Sequence, residues 1–200
     1  MTVYDLRWAR TGVWTRVHDG LRDLVGVHAG REPLPTAAII DSQTVRDADT
    51  VPSASAGYNT GKTTGRKRHI AVDTRGLLLA VVVTAACIQD RDGAHRLLVA
   101  LRTRFCTIGQ VWADGGSAGR LLTWAHQILS CTVDIVKRTD TISGFLVLPR
   151  RWVVARTFGW ITKHRRRVRD YETLPEHHEA MVTIAMIMVM PRRLARTGDW

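Results

Sequence analysis

Apolar positions along the 200-residue chain follow two rhythms. Trp14, Val17, His18, Leu21, Leu24 and Val25 fall at steps of three and four, which predicts a short amphipathic helix. The polar stretch 29–36 ends it with Gly30, Pro33 and Pro35. Ala37-Ala38-Ile39-Ile40-Asp41 follows as a short apolar run closing on an acid, the pattern of a buried strand. Residues 42–64 are rich in Ser, Thr, Gly and Asp and read as a long loop, a kind that is usually functional or mobile. The apolar runs 69–72 and 77–84 flank Asp73-Thr74-Arg75-Gly76, whose end residues suit a hairpin turn. Asp90-Arg91-Asp92-Gly93 opens a helix carrying Leu97, Leu98, Leu101 and Phe105, its acids placed for the N-terminal dipole. Val111-Trp112-Ala113-Asp114 is a second short strand ending in Asp, followed by Gly115-Gly116. A helix over 118–129, a strand over 132–137 and helices over about 151–171 and 176–194 complete the prediction.

Strand, hairpin strands, helix, strand, helix, strand, helix is an order that a mixed sheet accommodates, with the first strand central and helices on its faces. The expected class is therefore α/β.

Charge narrows the partners. Lys and Arg number 29 against 18 Asp and Glu, a balance of +11, and such a surplus attracts a polyanion. The longest apolar stretch, 180–190, is interrupted by Thr183 and too short to span a bilayer, so nucleic acid is favoured over membrane. Asp5, Arg7 and Arg10 occupy the place of an apolar export signal. Cys87, Cys106 and Cys131 are widely spaced in apolar surroundings, which fits reduced, buried thiols in a cytosolic protein better than disulfides or zinc.

Two strands each finish in an aspartate. Neighbouring strands lie roughly 4.8 Å apart, so acids at the same end of adjacent strands can face a shared pair of ions. Two-metal phosphoryl-transfer sites hold their ions about 3.5–4 Å apart, and Mg²⁺ requires hard oxygen ligands. Gly115 and Gly116 would let a DNA backbone approach without a Cβ in the way. One Asp at a strand end is better read as a cap or turn former; two, in a chain of this charge, favour a site.

The segments 37–45 (AAIIDSQTV), 65–69 (GRKRH), 111–116 (VWADGG) and 151–158 (RWVVARTF) resemble signature segments of bacterial insertion-sequence transposases. The likeness is to the compact DDE group related to insertion sequences of types four and five. It covers the chain from about Val13 to Arg196, with the motifs in the family's order. The resemblance implies a ribonuclease H-like fold, a mixed sheet flanked by helices over residues 37–196. It also implies a site for Mg²⁺ or Mn²⁺, two ions when intact, and metal-dependent cutting and rejoining of double-stranded DNA at element ends and target. By it, Asp41 is the first metal-binding, catalytic acid and Asp114 the second. A homodimer on DNA is compatible with it.

The chain departs from the family's pattern in two places. Ala155 stands where the pattern has the third acid, a Glu, and Ser117 stands where it has a Tyr. Glu172 lies 17 residues further along the same predicted helix, roughly 25 Å away at 1.5 Å per residue, and points about 100° aside. Nothing in the spacing favours Asp134 or Asp140. Two of three carboxylates are thus expected to remain and catalysis to be impaired, because this chemistry depends on positioning. The resemblance also implies a helical DNA-binding segment before the catalytic domain; residues 1–32 are expected to be its remnant, from about Tyr4 to Val27.

Arg150, Arg151, Arg156, Lys163, Arg165, Arg166, Arg167 and Arg169 fall close together with no acid among them, while Val154, Phe158, Ile161 and Val168 form a core-facing stripe. The outward part predicts a phosphate-binding face, and Lys62, Arg66, Lys67 and Arg68 form a second basic cluster expected to contact DNA. The segment 56–63 superficially fits a phosphate-binding loop but has no strand before it and no helix after it. Glu176-His177-His178-Glu179 lacks zinc-protease spacing, and Met181, Met186, Met188 and Met190 read as core filler. Trp152 and Trp160 read as packing groups. Two alternatives stand beside the transposase: a non-catalytic DNA-binding remnant or regulator of the same origin, and a ribonuclease H-like nuclease. The second fits the carboxylates but not the flanking segments.

Overall fold

The computed structural model describes residues 3–117, 119–136 and 149–195. Helices α1 (Val3–Arg10) and α2 (Val13–His28) lead into strand β1 (Ala37–Arg46). The two-residue strand β2 (Gly57–Tyr58), the hairpin β3 (Thr64–Val72) and β4 (Leu78–Ala85), and helix α3 (Asp90–Arg104) follow. Strand β5 (Gln110–Ala113), helix α4 (Arg120–Leu129), strand β6 (Thr132–Ile135), and helices α5 (Pro149–Thr162) and α6 (Pro175–Leu194) complete it.

Strand β1 is central, as the sequence predicts. It pairs antiparallel with β3 and parallel with β5; β4 lies beyond β3, and β6 runs parallel to β5 on the other side. Side chains alternate across a pleated strand, so β1 feeds two cores. Ala38 and Ile40 join Ala71, Leu97, Leu98, Leu101, Val111 and Leu121 beneath α3 and α4. Ile39, between them in sequence, joins Ile70, Val72, Val154, Phe158, Val182 and Met186 beneath α5 and α6. This is the helix-flanked mixed sheet of a ribonuclease H-like α/β domain. Helix α2 packs onto the hairpin and α6: Val25 is buried with Leu77 and Met190.

The predicted hairpin turn forms. Asp73 Oδ1 accepts the backbone N–H groups of Arg75 and Leu77, each at 2.8 Å, and Gly76 takes φ +83°, a left-handed conformation that favours glycine. Three expectations need correction. The first strand continues five residues beyond Asp41, because Ser42 to Arg46 pair with His69 to Gly65 of β3. Helix α5 stops at Thr162 and a 3₁₀ turn over Arg165–Arg167 follows, so Glu172 is not on that helix. Cys87 and Cys106 are exposed; of the three thiols, only Cys131 is buried. Lys137 and Asp140 lie outside the described residues.

Met181, Met186 and Met190 of α6 are buried as core filler, while Met188 is exposed. On the same helix, Glu179 Oε1 accepts the Val83 N–H of β4 at 2.8 Å. Burial, reinforced by the charge of Glu176, raises the Glu179 carboxyl to about 7 against the ordinary 4.5, although the Val83 bond pulls the other way. A carboxyl whose folded-state pKa is raised destabilises the fold once ionised, so its penalty is absent below pH 4.5 and complete above pH 7. Glu179→Gln is therefore expected to match the native chain at pH 4 and to exceed it at pH 8 by on the order of 2 kcal/mol. Urea denaturation at the two pH values measures this, and equal stability at pH 8 would contradict it.

Candidate metal centre

Strands β1 and β5 set the geometry of the site. Ile39 lies opposite Trp112 in their parallel register. Continued by two positions, that register brings Asp41 opposite Asp114, and the period of two returns both to one side of the sheet. The two acids line one pocket with Ile40, Ser42, His69, Asp90, Ala94 and Leu97.

Asp41 Oδ1 accepts the Ser42 N–H at 2.7 Å, and Asp114 Oδ1 accepts the Gly116 N–H at 3.2 Å. Burial raises the Asp41 carboxyl to about 6. The Ser42 N–H lowers it, the charges of Asp114 and Asp90 push it up further, and the charge of Arg151 pulls it down. The pocket thus holds carboxylates that repel one another, a charge distribution that a cation relieves.

Asp90 is the acid that sequence reasoning missed as a site residue, because at the first position of α3 it reads as a helix-dipole acid. Its Oδ1 accepts the Ser42 hydroxyl at 2.8 Å and faces Lys67 Nζ at 3.0 Å. Close packing holds α3 in place: a Cβ on Gly93 would fall 2.1 Å from His69 Cε1, so only glycine lets the first turn of α3 close over that ring. His69 Nε2 meets Thr84 Oγ1 at 3.0 Å, and burial lowers its pKa to about 4, leaving a neutral structural group. A Cβ on Gly116 would stand 3.4 Å from Asp114 Oδ1 and 3.8 Å from Asp90 Oδ2. Glycine leaves that point open between the two carboxylates.

Hard carboxylate oxygens suit a divalent cation such as Mg²⁺. Among the described residues no three His, Cys, Asp or Glu side chains close into a ready metal cage. Mg²⁺ does not require one, since it keeps several waters and binds through one or two carboxylates plus substrate phosphate.

Ala155 is exposed on α5, one turn beyond Arg151. Neither remaining candidate acid joins the pocket. Asp134 accepts a hydrogen bond from Gln110 Nε2 at 2.9 Å, and Glu172 is buried with Arg166 Nη2 at 3.3 Å.

The basic residues divide into two groups. Lys62, Arg151, Lys163, Arg165, Arg166 and Arg169 are exposed, and the last three surround a shallow surface depression with Thr50, Val168 and Tyr171. Arg66, Arg68 and Arg167 are buried, which corrects the expectation that they contact DNA. Arg66 Nη1 pairs with Asp170 Oδ2 at 3.1 Å, Arg68 donates to Gln43 and to the Arg167 carbonyl, and Arg167 Nε donates to the Met181 carbonyl at 2.8 Å. The Arg66 and Arg68 guanidiniums are thus held on protein oxygens, while Arg167 Nη1 is enclosed without a hydrogen-bond partner. Lys67 is held at the acidic pocket, with Nζ also 2.9 Å from the Ile88 carbonyl. Arg156 lies over the rings of Trp152 and Trp160 and donates to the Arg75 carbonyl at 2.9 Å, so those tryptophans pack against a cation.

A family model for the transposase DDE domain matches residues 32–190. No curated protein matches the chain.

Proposed function

The chain belongs to the transposase DDE domain family, and from that premise we propose that it is an insertion-sequence transposase cutting and joining DNA at element ends, with Asp41 and Asp114 as its metal-binding acids. The observation that carries this reading is the parallel register that sets the two acids side by side on one pocket. Mg²⁺ or Mn²⁺ held there would polarise the scissile phosphate and stabilise the charge that develops on it. Ser42 and Gly116 hold the two carboxylates through backbone N–H groups, and the glycine keeps the approach clear. Water, and then a DNA 3′-hydroxyl, attacks the phosphodiester while the exposed basic face holds the duplex.

Ala155 leaves α5 without a carboxylate at the position of the family's third acid, and we read this copy as impaired in cleavage. That same observation supports a second reading, a DNA-binding remnant without activity. Helices α1 and α2 are read as a DNA-binding segment, and a homodimer would supply one site for each element end. We read the chain as acting on nucleoid DNA in the cytoplasm, where a DNA substrate of this kind lies. Among the described residues no helix is long and apolar enough to cross a membrane.

Incubation of the chain and Mn²⁺ with element-end duplex, and separately with an RNA–DNA hybrid, tests the proposal. Slow cleavage confined to the duplex supports it. Cleavage of the hybrid alone favours a ribonuclease, and binding without any cleavage favours the remnant.

The exposed arginines give a separate prediction. Each phosphate contact contributes about 0.9 to the slope of log affinity against log salt on duplex DNA. Replacing Arg165, Arg166 and Arg169 together by alanine is expected to reduce that slope by about 2–3, as read by fluorescence anisotropy between 50 and 200 mM salt. An unchanged slope would place the DNA elsewhere on the surface.

A further inference from the structure

We propose that a groove beside the acidic pocket seats one unpaired nucleotide of the DNA substrate, with its base stacked on Tyr58. The inference rests on the DNA-processing reading above and adds a place for the strand. The groove has a volume of about 460 Å³, and Tyr58, Asn59, Lys67, Gln89 and Arg91 are among the residues that line it. That volume falls in the range of roughly 300–1,000 Å³ typical of small-molecule sites. Asp90 lines both this groove and the pocket of Asp41 and Asp114, so the two spaces adjoin.

Tyr58 is 68% exposed on the edge strand β2. Its support is built rather than loose. A Cβ on Gly57 would fall 2.7 Å from Cys87 Sγ, so glycine lets the strand lie against that residue. Asn59 Oδ1 accepts the Thr63 N–H at 2.9 Å, the Asn59 N–H donates to the Thr63 carbonyl at 3.1 Å, and Lys62 takes φ +56° to close the turn. The segment 56–63 thus lacks the context of a phosphate-binding loop but presents an aromatic ring beside the acidic pocket. Charge also suits a nucleic-acid strand. Among the described lining residues Asp90 is the only acid, and Lys67 Nζ pairs with it at 3.0 Å, while Arg91 adds a positive charge.

Inside a duplex the faces of each base are covered by its stacked neighbours, so a base meets Tyr58 only when it is unpaired. A rival account makes Tyr58 one of the solitary exposed aromatics that most surfaces carry. Stacking separates the two, because it requires both an aromatic ring at position 58 and an unpaired base.

The test compares binding of the full chain to a fully paired duplex and to the same duplex ending in a short unpaired flank. Fluorescence anisotropy in EDTA reads both affinities without cleavage, and thermal unfolding is recorded for every variant. The native chain is expected to prefer the flanked duplex by about tenfold. Tyr58→Phe is expected to keep that preference and Tyr58→Ala to lose it, with affinity for the paired duplex unchanged in both. Irradiation of a flank carrying iododeoxyuridine is expected to place the cross-link on Tyr58, as read by peptide mass spectrometry.

Equal affinity of the native chain for the two probes overturns the inference and leaves the DNA reading standing. A preference that survives in Tyr58→Ala also overturns it, because the unpaired base is then held elsewhere. If Tyr58→Ala does not fold, the position of the cross-link on the native chain decides alone. Binding of neither probe removes the DNA reading, and this inference with it.

Discussion

Ala155→Glu is expected to raise Mn²⁺-dependent cleavage of element-end duplex by about 100-fold over the native chain, the scale of loss when a catalytic group is misplaced by about an ångström. Position 155 is exposed on α5, and glutamate is a good helix former, so the substitution costs the fold little. Arg151, one turn earlier on α5, already brings its charge within reach of Asp41, so a carboxylate added one turn further along stands near the same pocket. Single-turnover time courses at matched metal and protein concentrations give the ratio. Equal rates in the two proteins would show that alanine at this position is not what limits the site.

The second large effect concerns stability. Asp170→Ala is expected to destabilise the fold by about 3–5 kcal/mol, the cost of leaving a buried charge without its partner. Asp170 is 1% exposed and Arg66 0%. The carboxylate accepts from Arg66 Nη1 at 3.1 Å and from the Glu172 N–H at 2.9 Å, and it meets His178 Nδ1 at 2.9 Å. Burial alone would raise its pKa, but the His178 bond and charge, the Glu172 N–H and Arg66 hold it below the ordinary value. The same residue ties backbones together: its N–H donates to the Arg46 carbonyl at 2.8 Å, and its carbonyl accepts from the Ala48 N–H at 2.7 Å. Marginal native stability, of roughly 5–15 kcal/mol, makes this a large share of the whole. Denaturant titration at 25 °C measures it, and a loss under about 1 kcal/mol would mean that Arg66 finds other acceptors.

What could be read from the sequence was what is local. Ala37 to Asp41 and Val111 to Asp114 are short apolar runs with an acid at the end, and parallel pairing then puts the acids in register. The hairpin announced itself through Asp73 and Gly76, and α3 through the spacing of Leu97, Leu98 and Leu101. What escaped depends on partners far along the chain. Ser42, Gln43 and Thr44 look like loop, yet they extend β1 because β3 pairs with them and Gln43 accepts from Arg68. Arg66 and Arg68 look like a surface basic cluster until Asp170, about a hundred positions later, and the Arg167 carbonyl enclose them. Asp90 has the composition of a helix-start acid, and only the packing of α3 over His69 sets it beside Asp41 and Asp114. Helix stops at Thr162 although Arg165 to Arg167 are good helix formers, because buried Arg167 is drawn onto the Met181 carbonyl of α6.

Asp41 and Asp114 are proposed to grip a divalent ion jointly. Crystals of the native chain soaked in Mn²⁺ and measured for anomalous scattering locate that ion. An anomalous peak is expected between the two carboxylates, beside Gly116. Manganese at saturating concentration with no peak between those side chains would contradict it.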